Sequence, residues 1–223
     1  IAGLRAAEFP WAGETIYLDH ASIGPLPERT RRAGERFLDR RARPFALTHD
    51  DMFGGLASAR AGAARLINAE PAEIALTTNT SFGLCVAARA LPWRPGDVVL
   101  VSDREFPANV YPWKRLGEQG VTLELVPATS AGFPDEERLL ARLQDSKVRC
   151  LAVSLTQFAN GYTVDLPRLS RATRELGKFL VVDAIQALGQ LPVDVRETPV
   201  DILATGAQKW LLSPWGSGFL YVR

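Results

Sequence analysis

The sequence predicts an α/β fold, a three-layer αβα sandwich built around a mostly parallel β-sheet. Short runs rich in strand-forming residues alternate with helical patterns through the middle and end of the chain. Several of these runs are continuously apolar rather than alternating, which is typical of strands buried on both faces. Strands that alternate with helices indicate a sheet covered by helices on each side.

The predicted strands all lie after the first third of the chain. Each is short and bounded by polar residues, glycine or proline. The segments are EIALT (73–77), DVVLVS (97–102), TLELVPA (122–128), VRCLAVSL (148–155), KFLVVDA (178–184), DILAT (201–205) and GFLYVR (218–223).

The helices predicted between these strands rest on local start and stop signals. Thr80 is a suitable N-cap for the first, acidic residues crowd the first turn of the third, and Gly177 ends the fourth. The segments are SFGLCVAARAL (81–91), NVYPWKRLGEQG (109–120), PDEERLLARLQDS (134–146) and DLPRLSRATRELG (165–177).

The beginning of the chain is less regular. YLDHASIGPLP reads as a loop, and PERTRRAGERFLDRRAR reads as an amphipathic, arginine-rich helix. We therefore divide the chain into an N-terminal segment, 1–70, and a large domain, 71–223.

Composition excludes several classes of protein. The 223 residues are 47% hydrophobic with a net charge of +1, so no global field attracts nucleic acid or acidic lipid. No apolar run reaches the roughly 18–20 residues of a membrane helix. Cys85 and Cys150 lie in apolar runs and read as buried free thiols of a reducing compartment. The histidines show no metal-ligand spacing, so we expect no metal site. From the composition and the cysteines we expect a soluble, cytoplasmic protein.

Two residues that could carry chemistry follow predicted strands. Asp183 closes the run FLVVD, and Lys209 follows DILAT between small residues and a Trp-Leu-Leu run. Ligands of open α/β sheets bind at the carboxyl ends of the strands, so both side chains are expected at one edge. Apolar surroundings lower the pKa of an amine, and the neutral amine can attack an aldehyde. Asp183 could instead simply cap a following helix, and Lys209 could be a solvated surface group.

Two further segments predict binding groups at the same edge. TTNTSFGL (77–84) joins a strand to a helix, where Thr80 and Ser81 add hydroxyl groups to unpaired backbone N–H groups and so favour an anion. Phe106 follows another strand and could stack on a planar cofactor. The alternatives are a plain capped helix and a core phenylalanine. Together, an anion cradle, a stacking ring, a carboxylate and an activated lysine are the parts that hold pyridoxal phosphate.

The motifs resemble the class V aminotransferase family, a group of fold-type I enzymes that depend on pyridoxal phosphate. This family includes cysteine desulfurases, selenocysteine lyases, kynureninases and proteins like isopenicillin-N epimerase. The matching segments keep the family order and are YLDHASIGP (17–25), TTNTSFG (77–83), SDREFPANVYPW (102–113), VSLTQFANGYTVDL (153–166), VVDAIQALGQLPVDV (181–195) and TGAQKWLLSPWGSGFLYV (205–222).

The resemblance implies a role for each site residue. Lys209 would form the Schiff base with the cofactor and then shuttle a proton at the substrate α-carbon. Asp183 would pair with the pyridine nitrogen. The remaining implied contacts are Gln186 and Gln157 near the ring oxygen, Thr80, Ser81 and Gln208 at the phosphate, Phe106 on the ring face, and His20 at the substrate.

The resemblance also implies an assembly. Residues 1–70 would line the site and make dimer contacts, because family members are generally homodimers. A C-terminal small domain, which usually carries the arginine for the substrate carboxylate, appears absent from this chain.

The sequence departs from the desulfurase pattern. Phe106 and Pro107 stand where desulfurases carry two histidines, and Gln208 stands where many members have histidine. The expected activity is therefore transamination, epimerisation or lyase chemistry on an amino-acid-like substrate. The alternatives are a cysteine desulfurase or selenocysteine lyase, and a non-catalytic α/β module with a vestigial cofactor site.

Overall fold

A computed structural model describes residues 2–223, and its architecture is an α/β sandwich. The strands of the described chain are β1 (Ile74–Thr77), β2 (Val98–Ser102), β3 (Thr122–Val126), β4 (Val148–Ser154), β5 (Phe179–Asp183), β6 (Ile202–Gly206) and β7 (Gly218–Val222). The helices are α1 (Ala2–Glu8), α2 (Glu28–Arg41), α3 (His49–Leu66), α4 (Thr80–Ala90), α5 (Tyr111–Arg115), α6 (Glu136–Arg142) and α7 (Leu166–Glu175). Every predicted strand is present, which confirms the sequence interpretation.

The strands form one sheet in the order β1-β7-β6-β5-β4-β2-β3. The pairs from β6 to β3 are parallel, whereas β7 is antiparallel to both of its neighbours. Because β7 is antiparallel to both β6 and β1, β1 points the same way as the parallel strands. The carboxyl ends of β1, β2, β4, β5 and β6 therefore lie along one edge of the sheet.

Helices cover both faces, as the continuous apolar runs predict. On one face, Ala64 of α3, Leu139 of α6 and Leu169 of α7 pack in a single core cluster against the sheet. On the other face, Leu84 of α4 and Trp113 of α5 pack in a second cluster. Successive strand residues alternate between the two clusters, so burial of both faces stabilises the central strands.

Three local expectations are wrong. The N-cap of α4 is Asn79, whose Oδ1 accepts a 2.8 Å hydrogen bond from the Phe82 N–H, and Thr80 is already helical. Residues 109–120 form a short α-helix followed by a 3₁₀ turn rather than one helix. Cys85 is a free thiol but is exposed, because it lies on the outer side of α4; Cys150 is buried as expected.

Candidate active site

A cavity of about 670 Å³ opens at the carboxyl edge of the sheet. It lies where the loops after β1, β2, β4, β5 and β6 meet, which is the position expected for a ligand in an open α/β sheet. Its lining includes Asp19, Asn79, Thr80, Ser81, Phe106, Thr156, Phe158, Asp183, Gln186, Gln208 and Lys209.

Asp183 ends β5 at the floor of this cavity, and only 2% of the residue is exposed. Its Oδ1 accepts a 3.0 Å hydrogen bond from the Ile185 N–H. Burial raises the pKa of Asp183 to about 7; that hydrogen bond and the charge of Lys209 oppose the rise, and the charge of Glu105 adds to it. Within residues 2–223, the other carboxyl oxygen accepts no hydrogen bond, so it is available to a cationic or N–H donor in the cavity.

Lys209 lies in the loop after β6 and is half-buried in the same cavity. Its Nζ is 5.8 Å from the centroid of the Phe106 ring. Burial lowers the pKa of Lys209, and the charges of Asp183 and Asp19 oppose that shift. Burial in the cavity therefore makes the amine easier to deprotonate, as a nucleophile requires, although the apolar residues that follow Lys209 in the sequence are not part of the cavity lining.

Phe106 is a cavity residue rather than a core residue, since 45% of it is exposed. Its ring meets Phe158 edge to face, with centroids 5.2 Å apart. The pair leaves one face of Phe106 toward the cavity that Lys209 also lines, which suits stacking on a flat heterocycle.

The N-terminus of α4 supplies the anion-binding features predicted for TTNTSFGL. In the described part of the chain, the backbone N–H groups of Thr80 and Ser81 have no hydrogen-bond partner. The Thr80 Oγ1 accepts a 2.7 Å hydrogen bond from the Gly206 N–H, which leaves its own O–H free to donate. These donors and the positive end of the helix dipole favour a phosphate group.

Gln186 lies one turn beyond Asp183 and is held at both ends of its amide. Its Oε1 accepts a 2.8 Å hydrogen bond from the Trp210 indole N–H, and its Nε2 donates at 2.9 Å to the Ala21 carbonyl oxygen. His20 does not line the cavity; its ring stacks on Trp210 in an adjoining recess, with centroids 5.5 Å apart. The structure therefore places His20 against Trp210, outside the cavity lining, and does not bring it to the expected substrate position.

Gln157 is buried beside the cavity rather than in its lining. Its Nε2 donates a 2.7 Å hydrogen bond to Glu105, so its expected approach to the ring oxygen stays a prediction. The sequence interpretation missed Glu105, and it missed Trp210 as a hydrogen-bond donor to Gln186. The signal for Glu105 was a charged residue directly before Phe106 in a segment that follows a buried strand.

Residues 2–223 contain no cluster of histidine, cysteine or acidic side chains suited to a metal ion. Over the same residues, no helix combines the length and the apolar character that a membrane span requires.

The sequence profile of the family described as Aminotransferase class-V matches residues 16–223. The chain belongs to this family. The resemblance found in the motifs is confirmed, and with it the fold-type I architecture, which the resemblance associates with pyridoxal phosphate. The arrangement around Asp183 and Lys209 fits that cofactor, because a free carboxyl oxygen, a half-buried amine and an anion-binding helix terminus share one cavity.

The chain is similar to several proteins whose own names describe sulfur chemistry. A probable cysteine desulfurase of Methanothermobacter thermautotrophicus is 34% identical over 218 residues, which are 96% of this chain and 54% of that protein. The apo structure of a cysteine desulfurase from Thermococcus onnurineus NA1 matches with a TM-score of 0.87 and 25% identity, covering 100% of this chain and 56% of that one.

A second similar structure is the complex of the cystine C-S lyase C-DES with its reaction product, cysteine persulfide. It matches with a TM-score of 0.88 and 25% identity, covering 97% of this chain and 59% of that one. The chain thus spans about half the length of the curated relatives it matches.

Proposed function

We propose that this protein acts on an amino-acid-like substrate with bound pyridoxal phosphate, and that Lys209 both binds the cofactor covalently and moves a proton at the substrate α-carbon. The observation that carries the proposal is the placement of Asp183 and Lys209 on one cavity, beside the N-terminus of α4. Family membership supports it.

The residues that would hold the cofactor surround this cavity. Thr80 and Ser81 would donate hydrogen bonds to the phosphate, and Gln208 lies close enough to help. Asp183 would accept a hydrogen bond from the ring nitrogen through its free carboxyl oxygen. Phe106 would cover one ring face, and Gln186 would approach the ring oxygen with the N–H that Ala21 does not use.

Lys209 is suited to proton transfer because it can exist as a neutral amine inside the cavity. When bound, pyridoxal phosphate supplies an electron sink that stabilises negative charge at the substrate α-carbon. Because burial lowers the pKa of Lys209, it favours the neutral amine that can accept the α-proton. Among the cavity-lining residues, Asp19, Asp183 and Lys209 carry acid–base groups, whereas Phe106 cannot transfer protons.

Transamination, epimerisation and lyase reactions all begin with this step, and cysteine desulfuration is the second candidate. The names of the relatives favour desulfuration. Transamination, epimerisation or another lyase reaction is favoured over desulfuration by Phe106 in place of histidine and by the placement of the two thiols. Cys150 is fully buried, and burial raises the pKa of its thiol far above the ordinary range, while Cys85 lies outside the cavity lining.

A homodimer is part of the proposal. Several apolar side chains of the N-terminal segment are largely exposed, with Ile16 and Leu18 at 86% and Phe45 at 88%. Exposure of several large apolar side chains within one segment supports an interaction surface there. Light scattering on the purified protein should report twice the chain mass, and a monomer at micromolar concentration would remove this part of the proposal.

The function is tested by adding pyridoxal phosphate to the purified protein and following visible absorbance. A saturable band should appear and should change when an amino-acid substrate is added. Screening the common amino acids for spectral change and product separates the reaction classes, and release of alanine with persulfide from cysteine would select the desulfurase candidate. A protein that gains no band with the cofactor would be the non-catalytic module instead.

A further inference from the structure

Glu105 is a buried carboxyl group that the proposed chemistry does not use. It is 7% exposed, and no lysine or arginine among the described residues forms a salt bridge with it. Its Oε1 accepts hydrogen bonds from the Ser154 N–H at 2.9 Å and from the Gln157 Nε2 at 2.7 Å, and its Oε2 is bonded to the Ser154 hydroxyl. A buried acid held by neutral donors alone is costly, so its presence at this position calls for a role.

The partners of Glu105 place it next to Asp183, the cavity carboxyl group. Ser154 is the residue of β4 that pairs with Asp183 of β5, and the following Leu155 N–H donates a 2.9 Å hydrogen bond to the Asp183 carbonyl oxygen. The Glu105 side chain therefore reaches from the loop after β2 to Ser154, which ends β4 and is the strand neighbour of Asp183.

The segment that Glu105 ties down carries Phe106. Directly before Glu105, Arg104 adopts a left-handed backbone with φ of 64°. This conformation costs a non-glycine residue free energy and persists only where neighbouring contacts hold it. Directly after Glu105, Phe106 precedes a 3₁₀ turn and makes its edge-to-face contact with Phe158. The hydrogen bonds of Glu105 tie this strained segment to the end of β4, and before it the Asp103 N–H donates a 2.8 Å hydrogen bond to the Val126 carbonyl oxygen of β3.

We propose that Glu105 is a positioning residue, which rests on the proposed function: it fastens the Phe106 segment to the end of β4 and so holds the Phe106 ring over the cofactor cavity. The fastening depends on hydrogen bonds rather than on negative charge. A glutamine at this position can accept through Oε1 from both N–H donors and can donate through Nε2 to the Ser154 hydroxyl. Glu105→Gln is therefore a matched control that keeps the geometry and removes the charge.

The first test needs no cofactor. Amide hydrogen exchange is measured on the purified protein, on peptides that cover residues 103–110 and Ser154. Glu105→Ala should speed exchange in both regions about tenfold or more, equivalent to about 1.4 kcal/mol of local opening free energy. Glu105→Gln should stay close to the parent protein. Glu105→Asp, which is one methylene too short to reach Ser154, should behave like the alanine variant and serves if that variant does not fold.

The second test uses the bound cofactor. Glu105→Ala should weaken binding of pyridoxal phosphate about tenfold or more and reduce the circular dichroism of its visible band, because the ring loses its ordered stacking partner. Glu105→Gln should restore both. In a Phe106→Ala background, Glu105→Ala should change the dichroism little further, since the two residues act as a unit.

The outcomes separate this inference from the proposed function. If the parent protein binds no cofactor, the proposed function fails, and the exchange measurement still decides whether Glu105 fastens the segment. If the parent binds cofactor but Glu105→Ala leaves exchange unchanged, or if the glutamine variant is as impaired as the alanine variant, the positioning role is wrong.

Discussion

The Trp210 indole donates a 2.8 Å hydrogen bond to the Gln186 Oε1 and thereby fixes the orientation of that amide. An indole N–H can only donate, so the Gln186 oxygen must face Trp210 and its nitrogen must face Ala21 and the cavity. His20 stacks on the far side of the indole and supports it. The residue after Lys209 therefore orients a side chain that lines the cavity.

Replacing Trp210 by phenylalanine tests this relationship. Trp210→Phe keeps an aromatic ring for His20 but leaves the Gln186 oxygen without its donor, so the amide can rotate. Affinity for pyridoxal phosphate should fall roughly 5- to 150-fold, which corresponds to the 1–3 kcal/mol range of an unsatisfied buried polar group. Equilibrium titration of the visible band measures the change.

Trp93→Phe is the matched control for that variant. The Trp93 indole donates to the Ala88 carbonyl oxygen, far from the cavity lining, so its loss removes a comparable hydrogen bond. It should lower thermal stability and leave cofactor affinity unchanged. Equal affinity losses in the two variants would show that the effect of Trp210 is only structural.

Gly24 explains part of the YLDHASIGP motif and gives a second prediction. Its N–H donates a 2.9 Å hydrogen bond to the Gln208 carbonyl oxygen, and a Cβ at this position would overlap the Lys209 carbonyl oxygen. Gly24→Ala should therefore displace the lysine loop, costing about 1–3 kcal/mol of unfolding free energy and weakening cofactor binding. Urea unfolding and cofactor titration measure the two effects.

Gly34→Ala is the control for this substitution. Gly34 lies in α2 with no atom within 4 Å of an added Cβ, so alanine should stabilise the protein by roughly 0.5–1 kcal/mol through helix propensity. A Gly24→Ala variant as stable as the parent, with unchanged cofactor affinity, would refute the close contact between the N-terminal segment and the lysine loop.

Asp183 should destabilise the cofactor-free protein at neutral and alkaline pH. Its pKa is raised from 3.8 to about 7, so between these values the folded state binds more protons than the unfolded state. Stability from this group therefore falls as pH rises through that window. Asp183→Asn should match the parent near pH 4 and exceed it above pH 7 by up to a few kcal/mol. Cofactor affinity should meanwhile fall.

Asp145→Asn should show the opposite sign. The Lys147 N–H holds the pKa of Asp145 below its ordinary value, so this carboxylate stabilises the folded state above pH 4 and its loss should lower stability there. Urea unfolding of both variants across pH 4 to 8 makes the comparison. Among the residues that the structure describes, Asp183 is buried without an ion-pair partner. If Asp183→Asn is less stable than the parent at pH 8, this description of the carboxylate is wrong.

The strands and the order of the site residues could be predicted because they rest on local signals. Continuous apolar runs mark strands buried on both faces, and Asp183 and Lys209 follow such runs directly. The sequence could not give the strand order, because the antiparallel insertion of β7 between β1 and β6 depends on pairing over long distances.

Helix α3 was missed for a physical reason. It contains Gly54, Gly55 and Gly62, which lower helix propensity, and few large apolar residues mark its buried face. The capping box formed by Thr48 and Asp51 at its start was the signal that could have located it.

Contacts across the fold were also beyond the sequence. His20 was placed by its motif near the substrate, yet its stacking on Trp210 depends on how the N-terminal segment crosses the lysine loop. The role of Glu105 depends in the same way on the adjacency of β2, β4 and β5. Such neighbours are separated by dozens of residues and carry no local pattern.

The most direct measurement is reduction of the cofactor-loaded protein with borohydride, followed by peptide mapping. A phosphopyridoxyl group should be found on Lys209 in near-stoichiometric yield, because this amine is half-buried with a lowered pKa beside Asp183. Lys114, Lys147 and Lys178, the other lysines of the chain, serve as internal controls. Lys209→Ala should abolish the label and lower turnover at least about a thousandfold. A label spread over the other lysines with no excess at Lys209, or turnover preserved in Lys209→Ala, would contradict the account.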